Sequence, residues 1–266
     1  MGNAMLLVSF ETQVTYGFLT LALASLWLPR ATRFVQSSVP VWLIFLVIAI
    51  GSGLIFGYLQ PVALLWIGLF GGGTWLLTRK HQSAATNYTL LIVVFLLSGG
   101  LMTHQLPGFA NPKIIVDLRL SEDALAYSKH LNFDSALVGL CLLGFGHQRL
   151  ANALGWLHTL KKMTPILLLT LAAVMALSLL LGYVHWQPKW TPVFFLWAWG
   201  NLFFTCIAEE AFFRGFIQKH LSQGLLKMRY GQTFAILIAA CLFGLAHHAG
   251  GIKYICLLYT SDAADD

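Results

Sequence analysis

Val193-Phe-Phe-Leu-Trp-Ala-Trp-Gly-Asn-Leu-Phe-Phe-Thr-Cys-Ile-Ala-Glu209-Glu210-Ala-Phe-Phe-Arg214 decides how the chain is read. Up to Ala208 the stretch is almost wholly apolar, and it then ends in two adjacent carboxylates and a guanidinium. A carboxylate deep in hydrocarbon costs ~3 kcal/mol or more, so an acid there marks a functional site by default. Of the ten acidic residues, Asp117, Glu122, Asp123 and Asp134 fall in one polar loop, and Asp262, Asp265 and Asp266 fall in the C-terminal tail. Only Glu11, Glu209 and Glu210 lie in or beside apolar runs.

The composition around this stretch is 58% hydrophobic and 10% charged, with a mean hydropathy of +0.75. A soluble domain carries about 25% charge. The chain is therefore expected to be an integral membrane protein with several spans and no large soluble domain. The net charge of +6 is spread through short loops, as membrane topology requires, and does not point to a nucleic-acid partner. Cys141, Cys206, Cys241 and Cys256 sit in or beside apolar runs without a short pairing, and read as small buried side chains rather than disulfides or metal ligands. No Lys/Arg cluster marks a cleavable signal at the N-terminus.

Apolar runs predict membrane helices near 6–28, 40–60, 61–78, 87–106, 135–147, 164–184, 191–208 and 231–249. The expected fold class is all-α: a polytopic transmembrane bundle of about eight helices. The fifth run is short, Ala136 to Gly146, and spans only if it extends through Leu150 to Leu157. Arg30, Arg33, Arg79, Lys80, Arg149, Lys161, Lys162, Lys219, Lys227 and Arg229 follow odd-numbered helices. The intervening loops hold Lys113, Arg119, Lys129, Lys189 and Lys253. This excess puts the N-terminus outside and the Glu209–Arg214 stretch toward the cytoplasm, in a multi-pass protein of the inner (plasma) membrane. Pro107 to Asp134 reads as a surface loop on the outer side, with Ser121 as N-cap of a short amphipathic helix. Gly53/Gly57 and Gly68/Gly72 have the spacing of close helix contacts.

At about 100° per residue, Glu210 and Arg214 form an i, i+4 pair on one face, and the ion pair would neutralise one carboxylate. Glu209 points about 100° away from Glu210. A carboxylate without a partner in low dielectric holds a proton well enough to serve as a general base. His247 closes the next apolar helix, with Phe243 one turn before it and His248 after it. A histidine there could hold a water, polarise a carbonyl or bind a metal. His81, His104, His130, His147, His158, His185 and His220 read as loop or interface residues. A free Glu and a His on consecutive helices can converge on one water, which then attacks an amide without a covalent intermediate. The chain has no His-Glu-x-x-His and no Gly-x-Ser-x-Gly.

Glu209-Glu210-x-x-x-Arg214 followed by Phe243-x-x-x-His247, flanked by Phe212, Phe213, Gly215 and Gly244-Leu245-Ala246, resembles the first two motifs of the CPBP family. This family, also called Abi, comprises CAAX proteases and bacteriocin-processing intramembrane proteases. The motif-bearing similarity covers about residues 190–250. It implies a helical membrane fold with a cavity open to the cytosol and a protease-like core over 134–256, after N-terminal helices and an outer loop over 1–133. It also implies Glu209 as the base, His247 as its partner, and Glu210 and Arg214 in support. The family is often labelled a metalloprotease, which leaves zinc open as a cofactor with Glu209 and His247 as candidate ligands. The implied partners are membrane lipid and a membrane-tethered or hydrophobic peptide, either a CAAX-type tail or a bacteriocin leader.

The family also has a third motif, a further His, and a fourth, an Asn or Asp about one helical turn later; no His follows His248 here. Residues 257–266 shift abruptly in composition and read as a non-native tail. On this basis the chain as written is expected to be poorly active and its full-length parent to be the protease. Two other function classes remain open: a non-catalytic membrane immunity or scaffold protein, and a proton-coupled transporter using Glu209 and His247 as a relay.

Overall fold

The computed structural model describes residues 8–28, 39–79, 82–121, 124, 126–146, 153–182 and 184–247. Arg30, Arg33, Lys80, Arg149 and Lys253, which contribute to the topology expectation, lie outside the described residues. So do His81, His147, His248, Glu122, Asp123, Cys256 and the 257–266 tail.

In chain order the helices are α1 (Phe10–Ser25), α2 (Val41–Ile55), α3 (Pro61–Leu77) and α4 (Ala84–Met102). Strands β1 (Lys113–Leu118) and β2 (Tyr127–His130) follow, then α5 (Phe133–Gly146) and α6 (Ala153–Leu180). The motif-bearing run opens as α7 (Val193–Asn201), widens into a π-helix at Leu202–Cys206 and tightens into α8 (Ile207–Phe212). It widens again at Phe213–Gln218 and ends in α9 (Lys219–Gly224); α10 (Gly231–Ala246) completes the described chain. Local sequence chemistry sets several starts. Ser9 accepts a hydrogen bond from the Thr12 amide at the head of α1, Pro61 opens α3, and Ser83 caps α4. Glu11 is exposed in the first turn of α1, where the helix dipole favours an acid.

The chain divides into two compact units, 1–149 with 192–212, and 150–191 with 213–266. In the first unit, Tyr16 sits at the centre of the core. Its ring meets Tyr58, Phe133 and Phe204 edge-on, at centroid distances of 5.7, 6.1 and 5.5 Å. Leu19 and Leu23 of α1, Trp42 and Leu46 of α2, and Leu137 and Leu140 of α5 pack into the same cluster. In the second unit, α10 packs on the π-helical turn Phe213–Gln218 and on α9.

The all-helical expectation holds apart from one hairpin. Residues 107–134 do not form a surface loop: β1 and β2 pair antiparallel, with Lys113 opposite His130 and Leu118 opposite Tyr127. Ile114, Ile115 and Leu131 are fully buried. A β-branched Ile-Ile-Val run buries better as a strand than as a loop. The fifth helix does not extend through Leu154–Leu157, which belong to α6. Only one glycine of each expected pair, or its neighbour, makes a close contact. A Cβ on Gly53 would meet Leu59 at 2.9 Å, and one on Gly73 would meet Val94 at 3.2 Å, whereas Gly57, Gly68 and Gly72 face open space. Among the described residues, α4 and Leu154–Leu180 of α6 are long and apolar enough to cross a membrane; α2, α3, α5 and α10 are apolar but shorter.

Candidate functional site

Glu209 and Glu210 stand on α8, and α5 fixes the position of that short helix. A Cβ on Gly139 would meet Ile207 Cγ2 at 3.0 Å and the Ala208 Cα and N at 3.2 Å. The two helix backbones are therefore in close contact, and glycine at 139 allows it. Ala208 and Ala211 are buried at 1% exposure each, and the Phe212 ring packs on Phe95 at 5.7 Å. With these neighbours turned inward, Glu209 is half-buried and Glu210 exposed.

The β-hairpin reaches the same helical run. Lys129 Nζ donates to Asn201 Oδ1 at 2.7 Å and to Thr205 Oγ1 at 2.9 Å. Thr205 is one turn before Glu209. Burial pulls the Lys129 ammonium below the usual lysine range, and Cys206 and Glu209, where ionised, oppose that pull. Sequence reasoning placed Lys129 in an outer loop and gave it no role.

The remaining motif residues meet in the second unit on one aromatic ring. Phe213 packs edge-on against Phe243 at 5.1 Å, and the Arg214 guanidinium carbon lies 5.1 Å from the same ring centroid. The His247 ring is 4.8 Å from that centroid. His247 Nδ1 lies 2.9 Å from the Phe243 carbonyl oxygen. A carbonyl only accepts, so Nδ1 carries the hydrogen and the lone pair of the neutral ring is on Nε2.

The 100° arithmetic applied to Glu210 and Arg214 does not carry across their junction. The α-helix ends at Phe212, and Phe213–Gln218 is π-helical. A π-turn accommodates an extra residue, and such turns gather at functional sites. Glu209 and Glu210 belong to the first unit, Arg214 and His247 to the second. Among the described residues, no group of three or more His, Cys, Asp or Glu side chains could hold a metal ion. A zinc site takes three or four protein ligands, so the described donors do not fit one and no step below passes through a metal.

A second cluster, in the first unit, was not anticipated. His104 Nδ1 donates to Asp134 Oδ2 at 2.7 Å, and Asn111 Nδ2 donates to Asp134 Oδ1 at 3.0 Å. Asp134 is 1% exposed and also accepts from its neighbour's amide, Ser135 N, at 2.9 Å. The bond to Asp134 raises His104 above its ordinary range, against a smaller pull from burial. Burial comes first in lowering His130, followed by the charges of Lys113, His104 and Lys129. Asp134 borders an apolar run, and an Asp opening a helix beside a buried strand was the available signal.

Residues 190–261 match the family model described as Rce1-like, type II CAAX prenyl endopeptidase. The match covers both motifs and agrees with the resemblance drawn from them. No curated protein and no solved structure matches the chain.

Proposed function

From the premise that residues 190–261 are of the CAAX-protease family, we propose that the protein is an intramembrane endopeptidase acting on a membrane-tethered peptide. Glu209 is the general base. It takes a proton from a water, the resulting hydroxide attacks the scissile carbonyl carbon, and a tetrahedral intermediate forms. The C–N bond then breaks, and the proton held by Glu209 passes to the leaving amine. The family resemblance gives His247 the role of the base's partner; its Nδ1–H is bonded to the Phe243 carbonyl, which leaves Nε2 as a hydrogen-bond acceptor. Arg214 and Glu210 take the supporting roles that the same resemblance implies. The protease-like core extends over 134–256 behind the N-terminal helices, in a multi-pass inner-membrane protein with the reaction facing the cytoplasm.

The observation that supports the proposal is the shared ring. Arg214 of the first motif and His247 of the second both lie on Phe243. Two segments about thirty residues apart converge there on polar groups, although an apolar bundle would be better served by leucines. The test is cleavage of a quenched prenyl-peptide by membranes carrying the protein, beside its Glu209→Gln and His247→Ala variants. Removing a general base lowers turnover by about 10²–10⁴, and both variants should fall in that range while remaining folded. Wild-type turnover in Glu209→Gln would leave Glu209 without the role given to it here.

A further inference from the structure

The loop between α9 and α10 alternates apolar and basic side chains, Leu226-Lys227-Met228-Arg229-Tyr230. Leu226 is 78% exposed, Met228 52% and Tyr230 57%, and Lys227 and Arg229 between them are exposed as well. The loop has a fixed shape. Met228 N donates to the Leu225 carbonyl at 2.9 Å, and Gly231 N donates to the Met228 carbonyl at 3.1 Å. Gly231 is buried, and a Cβ there would overlap the Leu225 carbonyl. The chain therefore turns back on itself where only glycine fits. A closed turn holds these five side chains outward.

Both kinds of side chain call for a neighbour. No Asp or Glu occurs among the described residues of the second unit, and among the described residues neither Lys227 nor Arg229 is in an ion pair. The irregular backbone needs water or headgroups for its remaining polar groups, so it does not lie in hydrocarbon. Leu226 and Met228 gain by leaving water. A bilayer surface meets both demands at once, with the basic heads at phosphate level and the apolar side chains below them. The Arg229 guanidinium carbon lies 5.2 Å from the Tyr230 ring centroid. The ring steadies a fork that matches a phosphodiester, and tyrosine itself favours the interface. A free phosphate would answer the charge and leave Leu226 and Met228 in water, whereas a lipid answers both.

We propose that the Leu226–Tyr230 loop binds the headgroup of an anionic phospholipid, with Lys227 and Arg229 on the phosphate and Leu226 and Met228 against the glycerol and upper acyl carbons. The site lies away from the chemistry: Phe243 is twelve residues along α10 from Gly231, about 18 Å. The lipid takes no part in peptide hydrolysis, and the inference stands whether or not the peptidase reading does. The loop joins the helical run that carries Arg214 to the helix that ends at His247, so holding it at the headgroups sets the depth of both segments in the membrane.

The test uses the purified protein in dodecyl maltoside micelles carrying phosphatidylglycerol or phosphatidylcholine at equal mole fraction, and counts the lipid retained per protein after capture and washing. A basic residue at an anionic surface contributes about fivefold. The wild type should therefore retain phosphatidylglycerol about tenfold or more over phosphatidylcholine. The double variant Lys227→Gln/Arg229→Gln should cut that ratio at least about fivefold. The charge-conserving pair Lys227→Arg/Arg229→Lys should keep most of it. Both positions are on the surface, where such substitutions leave folding intact. Lys113→Gln/Arg119→Gln removes the same charge from the hairpin of the first unit and should leave the ratio in place. Equal retention of the two lipids by the wild type overturns the proposal. So does a ratio that is unchanged in the double glutamine variant, or that falls as far in the hairpin control. Displacement of phosphatidylglycerol by glycerophosphate at equal or lower concentration also overturns it, because a headgroup without acyl chains would then suffice.

Discussion

Replacing Asp134 with alanine tests the polar centre of the first unit. The carboxylate is 2% exposed in its side chain and accepts from His104, Asn111 and the Ser135 amide. Alanine leaves those donors without their acceptor. A buried donor left unpaired costs about 1–3 kcal/mol. Ser135 is 5% exposed and bears that cost in full, whereas half-buried Asn111 recovers part of it from water. His104 is 44% exposed, so its ion pair adds little after solvent screening. The expected loss is about 3 kcal/mol. The pH dependence has a definite sign. Asp134 raises His104 in the folded state, so this pair stabilises fully below the unfolded histidine value of about 6.5 and is lost as pH rises through the raised folded value. Unfolding in mixed micelles, followed by tryptophan fluorescence at pH 6 and pH 9, measures both effects. Asp134→Ala should be less stable at both pH values, and His104→Gln should flatten the pH slope while keeping most of the stability. A stability for Asp134→Ala within about 0.5 kcal/mol of wild type, the level of an ordinary surface change, would refute the assignment of Asp134 as a buried, fully used acceptor.

Two further outcomes follow from the packing. Gly139→Val should push α8 off α5, because the new atoms meet the Ala208 backbone rather than a flexible side-chain end. Activity in membranes should fall at least tenfold, with a loss of about 1–3 kcal/mol in unfolding titrations, and near-wild-type values in both would show that the contact is slack. Phe243→Ala removes the ring shared by Phe213, Arg214 and His247. It should cost about 3–5 kcal/mol and lower kcat more than Phe243→Tyr does, as measured by thermal melting and peptide cleavage.

The helices were legible because an apolar run of membrane length has few alternatives: α2, α3, α4 and α10 lie within a few residues of the expected limits. Glu209, Glu210, Arg214 and His247 stood out because polar groups are rare in such runs, and the family match falls on the same segment. The hairpin was missed because its strands lie within a polar stretch, where Ile114-Ile115-Val116 is too short to outweigh the surrounding loop signals. His104 and Lys129 were passed over for a different reason. Each is unremarkable along the chain, and each acquires its role from a partner at long range, Asp134 across 30 residues and Thr205 across 76. Asp134 was grouped with loop acids by position, although it is almost fully buried. The π-turns have no periodic signature, since their extra residue is absorbed within one turn.

That absorption makes the motif run tolerant of one kind of editing. A single codon removed from Leu202–Cys206 can regularise the turn into α-helix and leave Glu209 in phase with Asn201. The same deletion in the unbroken α10 would swing His247 about 100° around its axis. The acid-bearing run thus has a spare residue for length variation, while the imidazole-bearing helix has none.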